Sequence, residues 1–251
     1  MKTILTNAFQ SEGFSLNDTQ LNQFADYFDM LIEWNQKINL TAIEEPVEVA
    51  YKHFVDSACL LRVVPDLKHK TMIDIGTGAG FPGVPLKIME PELDLTLFDS
   101  LNKRIVFLQE LCKKLDLHDV KAVHGRAEEF GIKPDYRQQY DIATARAVAR
   151  MPVLLEICLP FVKKGGILIA LKGPELENEL KESANALKEL GGKVVDVKEF
   201  TLADGAYTRN LAVIEKVKDT PKKYPRKAGT PQKKPLYNRQ YSELYFSEKY
   251  D

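Results

Sequence analysis

The stretch that decides the fold is TMIDIGTGAGFPG, Thr71 to Gly83. A short apolar run interrupted by Asp74 leads into a turn that contains four glycines, and a helix-compatible segment begins near Pro85. Glycines tolerate positive φ and leave the backbone uncovered, so a ligand can lie directly against the amides. The pattern predicts a strand, a tight turn and a helix start, with a nucleotide-like cofactor as the expected occupant.

Two cofactor classes fit this loop. Gly78 to Gly83 matches the G-x-G-x-x-G dinucleotide fingerprint, and Asp99 follows 21 residues after Gly78, where a ribose-binding acid belongs. The other parsing, Asp74-x-Gly76-x-Gly78-x-Gly80, resembles motif I of class I S-adenosylmethionine (SAM) methyltransferases and also explains Asp74. SAM is a cationic sulfonium without a pyrophosphate, so a carboxylate in the loop favours it and would repel a diphosphate. A purely structural glycine-rich turn is the third interpretation.

Length and composition predict one main domain with extensions, since the chain has 251 residues, of which 44% are hydrophobic and 28% charged. No apolar run has the length of a signal peptide core or a membrane span, so we expect a soluble, cytoplasmic protein. The three cysteines are far apart in the sequence, which predicts reduced thiols in the core: Cys59, Cys112 and Cys158. The four histidines are scattered, so we expect no metal site.

Positive charge is concentrated near the end of the chain. Lys216 to Arg239 contains nine basic residues and one acid, whereas the whole chain has a net charge of −1. Four prolines and a glycine in the same stretch predict an extended arm without a packed core. Such an arm suits phosphate binding, and a solvated tail is the alternative. The candidate RNA contacts in this arm are Lys222, Lys223, Arg226 and Lys227.

The sequence pattern predicts helices in the first part of the chain. Apolar side chains at helical spacing predict one helix over Ser15 to Asn39, and Pro46 suits the first position of a second helix that runs to about Val64. His53 and Asp56 lie on neighbouring turns of that second helix. A structural hydrogen bond and a role in a site are both compatible with this pair.

From Thr71 onwards, strands alternate with helices, which predicts a parallel sheet with right-handed crossovers. The predicted strands are 72–75, 93–98, 120–124, 140–145 and 166–171, and the predicted helices are about 84–89, 101–115, 151–162 and 175–190. Lys193 to Thr201 and Arg209 to Lys216 flank Asp204-Gly205 and predict a terminal antiparallel hairpin. The expected fold is α/β: a class I SAM-dependent methyltransferase (Rossmann-like) sheet, mostly parallel, with an N-terminal helical extension. The expected boundaries are 1–66 for this extension, 67–217 for the methyltransferase domain and 218–251 for the basic arm and tail.

Ligands of such sheets lie at the carboxyl ends of the strands, so the residues that follow each strand are the candidates. Asp99 follows the second strand and can accept the ribose hydroxyls. Glu128 lies after the third strand, where it can face the adenine edge, and Arg146 follows the fourth. Methyltransferases that act on exocyclic amines usually carry an Asn/Asp-Pro-Pro-aromatic motif after the fourth strand, and this chain has none.

Seven ordered motifs carry a resemblance to a known family: WNQKINLT (34–41), HFVDS (53–57), DIGTGAGFPG (74–83), DSLNKR (99–104), GRAEEF (125–130), ARAVA (145–149) and ALKG (170–173). From about Leu21 to Leu236 the chain closely resembles the glucose-inhibited division protein B family, whose members are bacterial 16S ribosomal RNA guanine-N7 methyltransferases of the small subunit. The resemblance implies SAM contacts at Gly76, Gly78, Phe81, Ala127, Glu128 and Arg146. Gly80 and Asp99 are added from the loop pattern and from general methyltransferase architecture. The end of the chain, Tyr237 to Asp251, departs from the family and has no assigned function.

The implied chemistry needs no general base, because guanine N7 carries an exposed lone pair. We expect Arg146 to orient the base, with an ion pair to Glu128 or Glu129 as the alternative. His53, Asp56 and Asn39 are candidates for the guanine entrance. Lys103 and Arg104, at a helix start where cations gain nothing from the dipole, are further candidates for RNA phosphates. The alternatives are a non-catalytic SAM- or nucleotide-binding regulator associated with ribosomes, and an NAD-dependent oxidoreductase. Nothing in the sequence requires more than a monomer.

Overall fold

The computed structural model describes residues 1–237, and its centre is a seven-stranded sheet. The spatial order of the strands is β3-β2-β1-β4-β5-β7-β6; β1 to β5 are parallel, and β7 runs antiparallel to both β5 and β6. The bounds are β1 Thr71–Ile75, β2 Asp94–Asp99, β3 Val120–His124, β4 Tyr140–Arg146, β5 Val162–Lys172, β6 Gly192–Leu202 and β7 Tyr207–Lys216. The predicted parallel sheet and terminal hairpin are confirmed.

Helices cover both faces of this sheet. They are α1 Lys2–Ser11, α2 Asp18–Ile38, α3 Pro46–Val49, α4 Asp56–Ala58, α5 Gly83–Met89, α6 Asn102–Lys114, α7 Ala127–Phe130, α8 Met151–Cys158, α9 Leu176–Glu182, α10 Ala184–Leu190 and α11 Thr230–Lys233. A π-helical turn, Ala50–Val55, joins α3 to α4, and a 3-10 turn, Cys59–Arg62, follows α4. The sequence pattern did not predict α1, α7 or α11.

Alternation along the strands divides the core into two layers. In β1, Met72 packs among the side chains of α1, α2, α5 and α6, whereas Ile73 and Ile75 face α8 and α10 on the other side. Successive side chains of a strand point to opposite faces, so one short strand contributes to both layers. The site therefore lies on a sheet that is buried on both faces.

The N-terminal helices pack against the first of these layers. Helix α2 begins with a reciprocal capping box, in which Asn17 accepts the Gln20 backbone N–H and the Gln20 side chain accepts the Asn17 N–H. Tyr27 on this helix is fully buried and stacks on Phe81 of the glycine loop, with ring centroids 5.3 Å apart. The N-terminal helical extension therefore packs directly against the glycine loop.

The basic arm is packed against the core up to residue 237, which corrects the prediction of an extended arm. Lys216 is a fully buried residue of β7, and its Nζ donates to the Leu159 carbonyl at 2.5 Å and the Thr220 hydroxyl at 2.6 Å. Burial lowers the Lys216 pKa to about 7. Tyr224 and Pro231 are also buried. Proline and lysine content predicted an extended arm without a packed core, but buried side chains between the charged ones pack against the body of the protein.

Other expectations concern absences or lie outside the described part of the chain. Among residues 1–237 no helix is long and apolar enough to cross a membrane, and no group of three or more His, Cys, Asp or Glu side chains is arranged to hold a metal ion. The three cysteines are buried, and none of them forms a disulfide. Of the atypical tail, residues 238–251 lie outside the described residues.

Candidate active site

A buried carboxylate organises the glycine loop between β1 and α5. Asp74 Oδ2 accepts the Thr77 hydroxyl at 2.7 Å and the Gly83 N–H at 2.9 Å, so it ties the start of the loop to its end. The side chain is fully buried, which raises the Asp74 pKa to about 6, although the two hydrogen bonds partly offset the effect. Asp74 therefore braces the loop from beneath and does not face solvent.

The glycines above this brace have the geometry of a ligand cradle. Gly76, Gly78 and Gly80 all have positive φ. A Cβ at Gly80 would lie 2.7 Å from the Tyr27 hydroxyl, whereas one at Gly78 would meet no atom closer than 4.0 Å, the Gly76 carbonyl oxygen. Gly80 is therefore required by packing, and Gly78 keeps an open space free above the loop.

Asp99 ends β2 beside this open space and is 2% exposed. Its carboxylate accepts the Gly78 N–H at 3.0 Å, the Leu101 N–H at 2.9 Å and an Arg104 N–H at 3.2 Å. Arg104 is held in this ion pair and is half-buried, so we assign it to the loop instead of to RNA phosphates. Lys103, one residue earlier on α6, is exposed.

A cavity of about 130 Å³ lies on the far side of Asp99. Its wall includes Gly76, Asp99, Ala127, Glu128 and Ile157. The sharp turn at Gly125 has no room for a Cβ, because one would lie 2.4 Å from the Phe130 ring. Helix α7 thus starts immediately beside the cavity, where the sequence predicted the contacts of an adenine ring.

Arg146, at the end of β4, points towards the N-terminal helices and not towards α7. Its Nη1 donates to Asp56 at 3.1 Å and to the Lys52 carbonyl at 3.0 Å, and its guanidinium lies 4.9 Å from the centroid of the Phe81 ring. The expected alternative, an ion pair with Glu128 or Glu129, is therefore wrong. Asp56 is only 2% exposed and binds a second guanidinium, since Arg209 Nε donates to its other oxygen at 2.9 Å.

His53 lies in the π-helical turn and is buried beside Phe81, with ring centroids 4.6 Å apart. Its Nδ1 is 3.0 Å from the Lys52 carbonyl, which can only accept, so the proton is assigned to Nδ1. Nε2 then accepts from the Thr41 hydroxyl at 2.8 Å. Burial, followed by the Arg146 charge, lowers the His53 pKa to about 3. His53 is therefore neutral at physiological pH and holds a π turn of the kind often found at functional sites.

Two further cavities meet at Arg146. A cavity of about 190 Å³ lies over the glycine loop, and one of about 480 Å³ extends from it towards β5 and β7. His53, Arg146 and Ala147 line both. Ala147 has φ +55, which is strained for a residue with a Cβ, at the point where the two cavities join. A ligand on the loop and a ligand in the larger cavity would therefore be neighbours.

Comparisons with known proteins identify the family. The family model for rRNA small subunit methyltransferase G (GidB) matches residues 20–212. The chain belongs to this family.

Relatives in the family match almost from end to end. The chain is 55% identical over 235 residues to the ribosomal RNA small subunit methyltransferase G of Alkaliphilus metalliredigens, with 94% of this chain and 98% of the relative covered. It is also 55% identical over 226 residues to the protein of the same name from Lactobacillus johnsonii, covering 89% of this chain and 95% of the relative. A solved SAM-dependent methyltransferase from Aquifex aeolicus is similar with a TM-score of 0.50 and 19% identity, covering 68% of this chain and 93% of that one. This last likeness shows the fold alone.

Sequence reasoning did not identify several residues of the site. Arg209, Lys172 and Glu179 line the larger cavity, and Lys172 pairs with Glu179 at 2.6 Å. Two of them, Lys172 and Arg209, lie on β5 and β7, the strands that build the antiparallel end of the sheet. Lys172 falls within the ALKG motif but was assigned no role there, and no motif marks Arg209 or Glu179. Asn39 was expected at the guanine entrance, but it is exposed and forms the left-handed C-cap of α2. It therefore ends a helix and does not line a described cavity.

The residues over the loop fit the cofactor of a methyltransferase. Asp74 Oδ1 and Arg104 Nε are buried polar atoms without a hydrogen-bond partner, and both belong to side chains that shape the loop. Buried polar groups in native proteins normally have partners. Arg104 lines the cavity over the loop, so a bound cofactor or ordered water could complete its Nε, whereas Asp74 is fully buried beneath the loop and lines no described cavity. The space at the Cβ position of Gly78 is also open, although the Gly78 N–H itself donates to Asp99.

We expect Gly78→Ala to weaken binding of S-adenosylhomocysteine at least tenfold, because its Cβ would occupy the open space above the loop. Gly165→Ala is the matched control: Gly165 also has positive φ and no atom near the Cβ position, but it lies near the start of β5 and lines a different cavity from those around the loop. Both variants carry roughly the same backbone strain, about 1 kcal/mol. Calorimetric titration measures the affinities, and equal losses in both variants would contradict a cofactor site over Gly78.

Proposed function

We propose that this protein transfers the methyl group of SAM to N7 of one guanine in 16S ribosomal RNA of the small ribosomal subunit. The single observation that carries the proposal is the common wall of the two cavities, formed by His53, Arg146 and Ala147. A methyl donor bound on the glycine loop would have its reactive end at that wall. A base held in the larger cavity would be its neighbour.

SAM supplies an electrophilic methyl group on a sulfonium, and the guanine N7 lone pair displaces the sulfur in a single in-line step that requires no proton to leave. The protein therefore has to position and stabilise, and alignment of reacting groups can supply roughly 7–11 kcal/mol of the barrier. The neutral His53 agrees with this chemistry. A protonated imidazole would add a second positive charge, beside that of Arg146, to the wall shared by the two cavities, where the donor and the product are both cationic.

We infer that the cofactor spans the loop from Phe81 to Glu128. In this assignment Gly76 and Gly78 would face its central part, Asp99 would accept from the ribose, and Ala127 and Glu128 would border the adenine. Gly80, which was also expected to contact the cofactor, is buried against Tyr27 and lines neither cavity, so it shapes the loop instead. Asp99 already accepts three N–H groups, so its carboxylate is oriented before any ligand binds. Pre-orientation of this kind reduces the entropy lost on binding.

The larger cavity, about 480 Å³, has room for a base extruded from an RNA strand. Its charged wall contains Arg146 and Arg209 around one carboxylate, Asp56, and the Lys172–Glu179 pair. The excess positive charge suits guanine O6 or a nearby phosphate. We propose that Arg146 orients the base, while Asp56 and Phe81 fix the guanidinium and His53 packs beside it.

RNA phosphates would bind outside the cavities, and the exposed Lys103, Lys222 and Lys227 are the candidates. Lys223 is also exposed but pairs with Glu189 at 3.2 Å, so it is the weaker candidate. Arg226 is removed from this set because it pairs with the buried Glu156. We also propose that the reaction takes place in the cytoplasm, as a ribosomal RNA substrate would require. A monomer would suffice, because one chain carries all residues that the proposed mechanism uses.

The decisive experiment is transfer of a labelled methyl group to 16S RNA that lacks the modification, offered both as free RNA and as assembled subunits. We expect label at one guanine and cleavage at that nucleotide after the reduction and aniline treatment that reveals N7-methylguanosine. S-adenosylhomocysteine should raise the melting temperature, and NAD should not. Binding of S-adenosylhomocysteine without transfer to either substrate would favour a regulator. Stabilisation by NAD alone would favour an oxidoreductase.

Arg146→Ala should lower the rate of methyl transfer at least tenfold, because the base loses its orienting group and Asp56 loses one of its two partners. Arg62→Ala is the matched control, since Arg62 also pairs with a carboxylate, Glu12 at 3.0 Å, and lies over a ring, Phe14 at 5.4 Å, but lines no described cavity near the loop. Single-turnover rates with saturating SAM measure the effect. A loss of less than about threefold in Arg146→Ala would remove Arg146 from the reaction.

Replacing Lys222 and Lys227 together by glutamine should weaken RNA binding and reduce its salt dependence, with a loss of about 0.7–0.9 in the log–log slope for each phosphate contact removed. The matched control is the pair Lys2→Gln and Lys113→Gln, which removes two positive charges as well, one from α1 and one from the C-terminal end of α6. Binding titrations over a range of salt concentrations compare the two pairs. An identical slope in both would assign the phosphate contacts to another surface.

A further inference from the structure

The docked C-terminal segment, defined here as residues 220–236, touches both helices that wall the cavity beside Asp99. Arg226 makes a two-pronged ion pair with Glu156 of α8, with Nη2 to Oε2 at 2.6 Å and Nε to Oε1 at 2.9 Å, and its backbone N–H also donates to Glu156. Glu156 is fully buried, and the next residue, Ile157, lines the cavity. One wall of the cavity is therefore held by the C-terminal segment.

The opposite wall is held three residues later in the same segment. The Gly229 backbone N–H donates to Glu128 Oε1 at 3.0 Å, and Glu128 on α7 also lines the cavity. Gly229 has φ +79, and it N-caps α11, the short helix that packs against α8. A hydrogen bond within the segment spans this contact, because Arg226 Nη2, before Gly229, donates to the Lys234 carbonyl, after it, at 2.8 Å.

The anchorage of the segment extends to the end of α7. Arg137 donates to the Gly131 carbonyl at 2.8 Å, and it also donates to the carbonyls of Tyr224 at 2.8 Å and Thr220 at 2.6 Å. Gly131 is the C-cap of α7. The segment is thus connected to both ends of α7 and to the middle of α8, and its position sets the distance between them.

We propose that the C-terminal segment is a positioning element for the cofactor: it clamps α7 to α8 through Glu128 and Glu156 and so shapes the nucleoside end of the cavity. The proposal rests on the function proposed above. It gives the basic end of the chain a role in cofactor affinity that is separate from RNA binding. Arg226 acts through Glu156 and the segment, and it does not touch the cofactor.

The test replaces the ion pair without leaving a buried charge. Arg226→Met with Glu156→Met exchanges the pair for two apolar side chains of similar length, a replacement that is often neutral or stabilising. The single variant Arg226→Gln leaves Glu156 unpaired and is used only if it folds. In the full chain, well below the melting temperature, we expect the double variant to bind S-adenosylhomocysteine at least fivefold more weakly than the unaltered protein.

A second ligand, 5′-methylthioadenosine, distinguishes a clamp at the nucleoside end of the cavity from a distortion of the glycine loop. It lacks the amino acid part of the cofactor, so a clamp at the nucleoside end should weaken both ligands by the same factor, whereas a distorted glycine loop would weaken S-adenosylhomocysteine more. Glu189→Ala is the matched control, because it removes the acceptor through which α10 contacts Lys223 and Tyr224 of the same segment, and α10 does not line the cavity. Its affinities should stay within twofold.

Affinities within twofold in a folded Arg226→Met, Glu156→Met protein would overturn the clamp. Unequal losses for the two ligands would do the same. If the unaltered protein bound neither ligand, the proposed function itself would fail. Binding of both ligands by the unaltered protein, together with a selective loss in the double variant, would support the inference.

Discussion

The site depends on the hydrogen bonds of one buried carboxylate. Asp74 holds Thr77 and Gly83 together, and Gly83 has no room for a side chain, because a Cβ would lie 2.8 Å from Leu97 and 2.9 Å from Asp74 itself. This brace fixes the curvature of the loop. The curvature in turn directs the Gly78 N–H to Asp99 and places Phe81 between α2 and Arg146. Burying a carboxylate is costly, and the structure offsets that cost with two hydrogen bonds made only in this conformation.

A second buried carboxylate organises the other half of the site. Asp56 lies between Arg146 and Arg209, so two guanidinium groups from β4 and β7 converge on a helix of the N-terminal extension. Removing the acid would leave two cations facing each other, and removing either arginine would leave the acid partly unpaired. The extension is therefore tied to the sheet at the cavity itself. Cavity shape and helix packing consequently depend on the same three charges.

Local patterns explain how much could be predicted from sequence. The five parallel strands, the glycine loop and α2 depend on alternation, on glycine spacing and on a cap, all of which lie within a few neighbouring residues. The convergence on Asp56 does not, because Arg209 lies 153 residues further along the chain. The π-helical turn was also invisible, since Ala50–Val55 has the same apolar spacing as an ordinary helix. The position of Arg146 after β4 identified it as a candidate, but the sequence did not predict that it would bind Asp56 and the Lys52 carbonyl.

The basic segment shows why composition misled at the end of the chain. Counting charges treats each lysine and arginine as solvated, yet the acids that receive Arg226 and Gly229 lie 70 and 101 residues earlier in sequence. The charge of a guanidinium paired with a fully buried carboxylate is largely cancelled at the surface, whereas the exposed Lys222 and Lys227, four residues before and one residue after Arg226, still contribute to the surface field. The same short stretch can therefore hold the fold through some of its cations and present others to a polyanion. Such a division of roles follows from burial, and burial is a property of the folded chain.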